Sequence, residues 1–342
     1  MEQLELEIFK KNLNKSIIKY QNLSDKQSLT IGIYHKGNMY FYNNEGISNY
    51  QYDMGSISKT IISHLILDLS YQGKIDLNGR VDSYIELKKG NYPTILELLT
   101  HRAGYNHVTP IEVIFPRLLT GGYSKKNLYR NCNKNIIIKC LERRRKRKIK
   151  EHKYNYSDFS TAILSVVIEN ILKKSFYEIL MDFTKNKLKL ENTTLTTEER
   201  NPKAILNGRE INFWKWEKDN PYISSGGLIT NVEDMLKYIK LQIESNEDYI
   251  VNAHIPQEYK KTKKETLGIC IGWHTYLKSN QLWHVGGVGT FRSSMIINKV
   301  KKIGVIVFGN TIGIKSANVH YIAKVVYGNL KHNKIKLKNT SN

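Results

Sequence analysis

The chain has 342 residues, 53 of them basic and 31 acidic, for a formal net charge of +22. Apolar residues make up 40% of it, enough for a sizeable core in one large domain or two intimate ones. The three cysteines, Cys132, Cys140 and Cys270, form no C-x-x-C pair, which argues against a disulfide framework and a cysteine zinc site.

The opening MEQLELEIFKKNLNKSI has early acidic residues and no apolar h-region, so it does not read as a signal peptide. No run reaches the roughly 18 apolar residues of a membrane span. A cytoplasmic chain without a membrane span is the expectation. The positive charge implies at most a weak attraction to polyanions. The competing reading is a solvated basic surface in a chain rich in Lys, Asn and Ile. The one marked charge run, Arg143–Lys150 (RRRKRKIK), has no stacking aromatics interleaved, so nucleic acid is not an expected partner.

In chain order, residues 1–20 have the apolar spacing of an amphipathic helix. Leu29–Tyr34 and Asn38–Tyr42 read as strands joined by His35-Lys36-Gly37, a hairpin signal. Thr60–Tyr71 is an apolar-periodic helix ended by Gly73. Helical periodicity returns in Thr94–Thr100, Ser160–Leu172, Phe176–Phe183 and Val232–Ile243, the last with Thr230 or Asn231 as N-cap. Cys132 and Cys140 read as small apolar residues of one further helix. Strands close the chain at Trp273–Leu277, Phe291–Asn298 and Ile303–Asn310, with Lys299–Lys302 as a turn. A helix over Ala317–Leu330 and a basic tail follow.

Strands at both ends with helices between predict an α+β fold. One sheet is built from residues 1–55 and 265–335, and a mainly helical unit, 56–264, is inserted. Residues 336–342 are expected to be a flexible basic tail.

Ser56-Ile57-Ser58-Lys59 is an S-x-x-K tetrad. Residues three apart on a helix share a face, so the Lys59 amine comes within reach of the Ser56 hydroxyl. A serine alcohol is a poor nucleophile until a base takes its proton. A lysine is that base only when burial or a nearby cation lowers its pKa. Gly55 lets a substrate approach the backbone closely.

The segment Tyr52–Thr60 (YDMGSISKT) resembles the active-site segment of serine β-lactamases and penicillin-binding proteins, in particular the class C-like branch. The resemblance continues, in order, through Gly73–Asn78 (GKIDLN), Leu98–Gly104 (LLTHRAG), Tyr156-Ser157-Asp158 at the family's Y-x-N, Ser225–Leu228 (SGGL) and His284–Gly287 at its K-T-G or H-x-G. It implies an antiparallel sheet flanked by helices with an inserted all-α domain, and acyl transfer to water through a Ser56 ester. Lys59 and Tyr156 would share the proton work. The backbone N–H groups of Ser56 and Gly287, beside Gly286, would form the oxyanion hole. Lys59 and His284 are the candidate cations for lowering the Tyr156 pKa, and His284 is expected to titrate in the physiological range. The expected partners are small esters, D-aminoacyl peptides or amides, and no metal or other cofactor is implied.

Each residue also has a structural reading. Tyr156 is one of 22 tyrosines, His284 fits a half-buried structural histidine, and Asp158 fits a cap for a helix starting at Phe159 or Ser160. Asp158 also departs from the family's asparagine. A carboxylate only accepts hydrogen bonds, so it would hold Lys59 charged. It is read as a receiver for a cationic group, such as the free amine of a D-aminoacyl substrate. Two alternatives stand beside the hydrolase: a true β-lactamase or D,D-carboxypeptidase, and a non-catalytic binding or sensor protein on the same fold.

Overall fold

The structure, a computed structural model, describes residues 1–4, 27–107, 126–146, 152–195, 200–262, 265–312, 318–335 and 337. Of the helix expected over residues 1–20 only 1–4 are described, and there Glu2–Gln3 form a strand that pairs with the Asn38–Asn43 strand; the rest of it, the second half of the Arg143–Lys150 run and nearly all of the 336–342 tail lie outside the described residues.

The strands are β1 (Glu2–Gln3), β2 (Leu29–His35), β3 (Asn38–Asn43), β4 (Tyr52–Asp53), β5 (Ala204–Leu206), β6 (Arg209–Ile211) and β7 (Ile229–Thr230). Then follow β8 (Glu258–Lys261), β9 (Thr266–Ile269), β10 (His274–Tyr276), β11 (Gln281–Val288), β12 (Phe291–Asn298), β13 (Ile303–Gly309) and β14 (Thr311–Ile312). Nine of them make one sheet in the order β1-β3-β2-β13-β12-β11-β10-β9-β8. The β2–β3 hairpin turns on Lys36 and Gly37, both at positive φ, which suits the right-handed twist of the flanking strands.

The longer helices are α1 (Ser58–Tyr71), α2 (Lys134–Arg143), α3 (Asp158–Leu172), α4 (Val232–Glu244) and α5 (Val319–Lys331). Two of them cover the sheet's two faces. Ile31, Ile33, Val305 and Val307 pack with Ile322, Ala323 and Val326 of α5. The alternate residues Tyr34, Ile306 and Phe308 join the larger core with Leu236 and Ile239 of α4. Helix α4 lies so close that a Cβ on Gly32 would stand 2.7 Å from the Val232 side chain. Asn231 caps α4, and α1 ends at Gly73 in the left-handed region.

The structure corrects the sequence reading at several points. The inserted unit is not all-α. Strands β5 and β6 form a hairpin on Asn207-Gly208, both at positive φ, and β14 adds to β5 in parallel, while β4 pairs with β7. The large sheet takes in β8, ahead of the expected boundary at 265. Cys132 precedes α2, and only Cys140 lies on it; both are buried.

Asn310 connects the nine-stranded sheet to the β14-β5-β6 sheet. Its side chain accepts from the Ser28 N–H at 2.9 Å and donates to the Lys203 carbonyl at 2.9 Å, and its own carbonyl accepts from the Ile205 N–H at 3.0 Å.

Candidate active site

Ser56 sits in a single 3-10 turn, Gly55–Ile57, that runs directly into α1. The turn is pressed against the edge of β11. A Cβ on Gly55 would lie 2.3 Å from the Gly287 nitrogen, and one on Gly286 would lie 2.0 Å from the Met54 carbonyl oxygen. Only glycine permits this approach of two backbones, and Gly55 is also at φ +54. Ser293 Oγ donates to the Met54 carbonyl at 2.6 Å and ties β12 to the same turn. Behind it, Asp53 pairs with Arg200 at 2.5 Å in the interior.

Lys59, on the first turn of α1, is only 2% exposed. Its Nζ donates to Ser56 Oγ at 3.0 Å and to the Ser225 carbonyl at 2.6 Å, and it pairs with Asp158 Oδ1 at 2.7 Å. The Tyr156 phenol lies close enough to Ser56 and Lys59 for each to act on its pKa. The lysine nitrogen stands 5.1 Å from the Tyr156 ring centre. A hydroxyl, an amine and a phenol far apart in sequence therefore meet at one point.

Asp158 does not cap α3. Ser157 does, with Oγ accepting from the Ser160 N–H at 3.2 Å. Asp158 is already helical, and its side chain turns inward. Oδ1 faces Lys59, while Oδ2 accepts from the Tyr129 hydroxyl at 2.7 Å and lies 3.8 Å from His107 Nδ1. Both oxygens are engaged, so the carboxylate is not held open for a substrate amine. Ser225 Oγ donates to the Asp158 carbonyl at 2.9 Å and fixes the start of the helix.

Burial opposes charge on Lys59, but the Asp158 carboxylate, with Tyr156 adding to it, holds the ammonium above its usual pKa. Burial likewise works against the Asp158 anion, and Lys59 overcomes it, so the carboxyl lies below its ordinary range. Burial raises the Tyr156 phenol, with Lys59 pulling the other way. At neutral pH the resting site thus holds an ammonium, a carboxylate and a neutral phenol.

His284 lies on β11 as expected, with its ring centre 6.4 Å from that of Tyr156. It does not titrate in the physiological range. Burial, then the neighbouring His274 and Lys59, push it well below the usual imidazole value. The same forces bring His101 to about 3, and burial brings His274 to about 4. His101 lies 4.5 Å from the Tyr156 ring, and His274 bonds the Tyr154 hydroxyl at 2.9 Å. The neutral His101 and His284 thus flank Tyr156, whose phenol is drawn down by Lys59 against burial.

Ser56 and the exposed Gly287 open on a cavity of about 220 Å³, with Asp158 on its wall. The rest of the wall is largely apolar: Leu206, Ile211, Trp214, Trp216, Val288 and Ile312. Tyr129 stacks between Tyr222 at 4.2 Å and Trp216 at 6.0 Å. Sequence reasoning missed Tyr129, Trp214 and Trp216. The alternation Trp214-Lys215-Trp216, in a chain with four tryptophans, was the available signal for two rings on one face of an extended segment. Among the described residues no group of three or more His, Cys, Asp or Glu could hold a metal, and no helix is long and apolar enough to cross a membrane.

A serine hydroxyl bonded to a buried lysine on a sheet-and-helix scaffold fits the serine hydrolases of the β-lactamase and penicillin-binding type. The chain belongs to the Beta-lactamase family, whose model matches residues 21–325. Among curated proteins it is 23% identical over 300 residues to Protein flp of Staphylococcus aureus (strain MW2), covering 81% of this chain and 55% of that one. It is 26% identical over 235 residues to the teichoic acid D-alanine hydrolase of Staphylococcus aureus, covering 66% of this chain and 53% of that one. The chain thus spans about half the length of these relatives. Among solved structures it is similar to the octameric penicillin-binding protein homologue from Pyrococcus abyssi, with a TM-score of 0.75 and 20% identity over 96% of this chain and 78% of that one. A class C beta lactamase from Rhodobacter sphaeroides gives 0.72 and 17% over 95% and 98%. The fold is therefore the β-lactamase/transpeptidase fold.

Proposed function

We propose that this chain hydrolyses small esters, amides or D-aminoacyl compounds through an acyl-enzyme on Ser56. The observation that carries this reading is the Lys59 ammonium, which bridges Ser56 Oγ and a buried carboxylate with the Tyr156 ring centre 5.1 Å from its nitrogen. A binding protein gains nothing from holding an amine and a phenol beside one hydroxyl with a carboxylate behind them.

In this reading Ser56 Oγ attacks the substrate carbonyl, and the oxyanion is received by the N–H groups of Ser56 and Gly287. The approach of β11 to the Ser56 turn supports that pairing. The Tyr156 hydroxyl then protonates the leaving group, and Lys59 restores its proton. In the second half Tyr156 helps a water attack the ester. The neutral His284 packs beside Tyr156 and carries no charge into the step.

The apolar and aromatic cavity wall supports an ester or amide with an apolar portion. The relative named teichoic acid D-alanine hydrolase supports including D-alanyl esters among the candidates. The test is covalent labelling by a fluorophosphonate, read by intact mass. The protein is expected to gain one adduct, and Ser56→Ala none. A folded wild-type protein that gains no adduct overturns the reading. A panel of D- and L-aminoacyl and simple acyl esters then ranks the substrates.

A further inference from the structure

A charged lysine cannot accept a proton, yet it is Lys59 that bonds Ser56 Oγ, at 3.0 Å. Its ammonium already points at three oxygens: Ser56 Oγ at 3.0 Å, the Ser225 carbonyl at 2.6 Å and Asp158 Oδ1 at 2.7 Å. Of these, Asp158 Oδ1 is the one basic enough to receive a proton. The other oxygen of that carboxylate is fixed by the Tyr129 hydroxyl at 2.7 Å, and that ring is itself stacked between Tyr222 and Trp216. The geometry makes a continuous path of short bonds from Ser56 through Lys59 to Asp158.

We propose that Asp158 is the terminal proton acceptor for the Ser56 hydroxyl, reached through Lys59, with Tyr129 as the positioning residue for the carboxylate. This rests on the acyl-enzyme reading above. Lys59 first gives the proton it shares with Oδ1 to Asp158. Rotation about the Cε–Nζ bond brings the freed lone pair round to Ser56 Oγ. As the Oγ–carbon bond forms, the Oγ–H bond breaks and its proton goes to Nζ. The products are an ammonium, a neutral Asp158 acid and the substrate oxyanion, so charge and protons balance. When the oxyanion collapses, the leaving group takes the Tyr156 proton, Tyr156 takes one from Lys59, and Lys59 takes back the one on Asp158. The resting ion pair is restored.

The groups facing Asp158 are Lys59 of α1, Tyr156 just before α3, Tyr129 before α2, and His107, with His101 and Tyr222 farther off. Lys59, His107 and the Tyr129 hydrogen bond favour the anion; burial opposes it and is outweighed. The acceptor is therefore present at neutral pH and lost only as pH falls through a value below the ordinary carboxylate range. An asparagine amide cannot take the proton, so in Asp158→Asn the lysine itself must be neutral to act.

The experiment is the rate of Ser56 labelling by a fluorophosphonate against pH, in wild type, Asp158→Asn and Tyr129→Phe. Fluoride leaves without being protonated at this step, so the rate reports removal of the Ser56 proton and not the Tyr156 transfer. The wild-type acid limb is expected below about pH 4. In Asp158→Asn it moves up by at least about two pH units, because the limb now reports Lys59. In Tyr129→Phe it moves up by less than about one unit, because the carboxylate has lost a donor. Coinciding wild-type and Asp158→Asn profiles overturn the relay while leaving the hydrolase reading intact. An unmoved Tyr129→Phe limb removes Tyr129 from it. Absence of labelling in folded wild type at every pH overturns the hydrolase reading itself.

Discussion

Helix α1 carries two buried polar clusters, and they handle charge in opposite ways. At its first turn Lys59 keeps its proton against burial because the Asp158 carboxylate stands 2.7 Å away. Farther along, His64 reaches Gln242 Oε1 at 3.0 Å and the Tyr249 carbonyl at 3.1 Å, and His254 reaches the same Gln242 oxygen at 2.9 Å. None of these partners is a carboxylate. Burial brings His64 to about 4 and His254 well below its usual value. One helix thus shows that the interior strips charge from a group unless an opposite charge meets it. The charged cluster borders a cavity and the neutral one fills space.

The sharpest break in this comparison is Lys59→Met. Removing the ammonium leaves Asp158 buried and unmatched, which costs about 3–5 kcal/mol of stability, read by urea unfolding. Labelling of Ser56 is lost with it. Adding Asp158→Asn to that variant recovers most of the stability but none of the labelling. A single variant as stable as wild type would mean that the pair contributes no more than a surface one.

Next comes Gly286→Ala, which touches no charge. Its Cβ would meet the Met54 carbonyl at 2.0 Å and push β11 off the Ser56 turn. Labelling is expected to fall by about 100-fold, the usual effect of an ångström-scale misplacement, with the circular dichroism unchanged. An unaltered rate would mean that the strand does not set the geometry of the serine.

At the neutral cluster, His64→Leu removes the ring that faces Gln242 and Tyr249, leaves Gln242 Oε1 only His254, and costs about 1–3 kcal/mol. The labelling rate stays at the wild-type value. The sign of the pH effect follows from the lowered imidazole. The unfolded chain binds a proton near pH 6.5 and the folded one only near pH 4, so wild-type stability falls as pH drops across that window. His64→Leu flattens this slope, as melting temperatures at pH 7 and pH 5 would reveal. The smallest effect expected is at Gly328 on α5, where a Cβ meets nothing within 4 Å. Gly328→Ala should stabilise by up to about 1 kcal/mol and leave labelling untouched.

The strands β2, β3, β12 and β13 were legible because strand propensity and sharp turns bound them on both sides. The N-cap of α4 and the Gly73 stop of α1 were legible for similarly local reasons. Tyr156 was legible only through the order of motifs, since nothing local distinguishes it from the other tyrosines. The charging of Lys59 followed from replacing an amide by a carboxylate. Where the carboxylate points did not, because Ser157 rather than Asp158 takes the cap and frees the aspartate to turn inward. Tyr129 gave no local signal: its value lies in one hydrogen bond across the fold. The histidine state failed on burial, since a neighbouring strand and ring, not the H-x-G spelling, set the environment of His284. The β5–β6 hairpin was spelled openly as Asn207-Gly208 and was lost in a region read as helical.

Asn310 has a mechanical consequence. It grips Ser28 at the start of β2 on one side and the β5 segment on the other, and β5, β6 and β14 supply Leu206, Ile211 and Ile312 to the cavity wall. The aperture beside Ser56 is therefore calibrated by the twist of the nine-stranded sheet. A guest too wide for it works against this amide and against the β5–β14 pairing beside it.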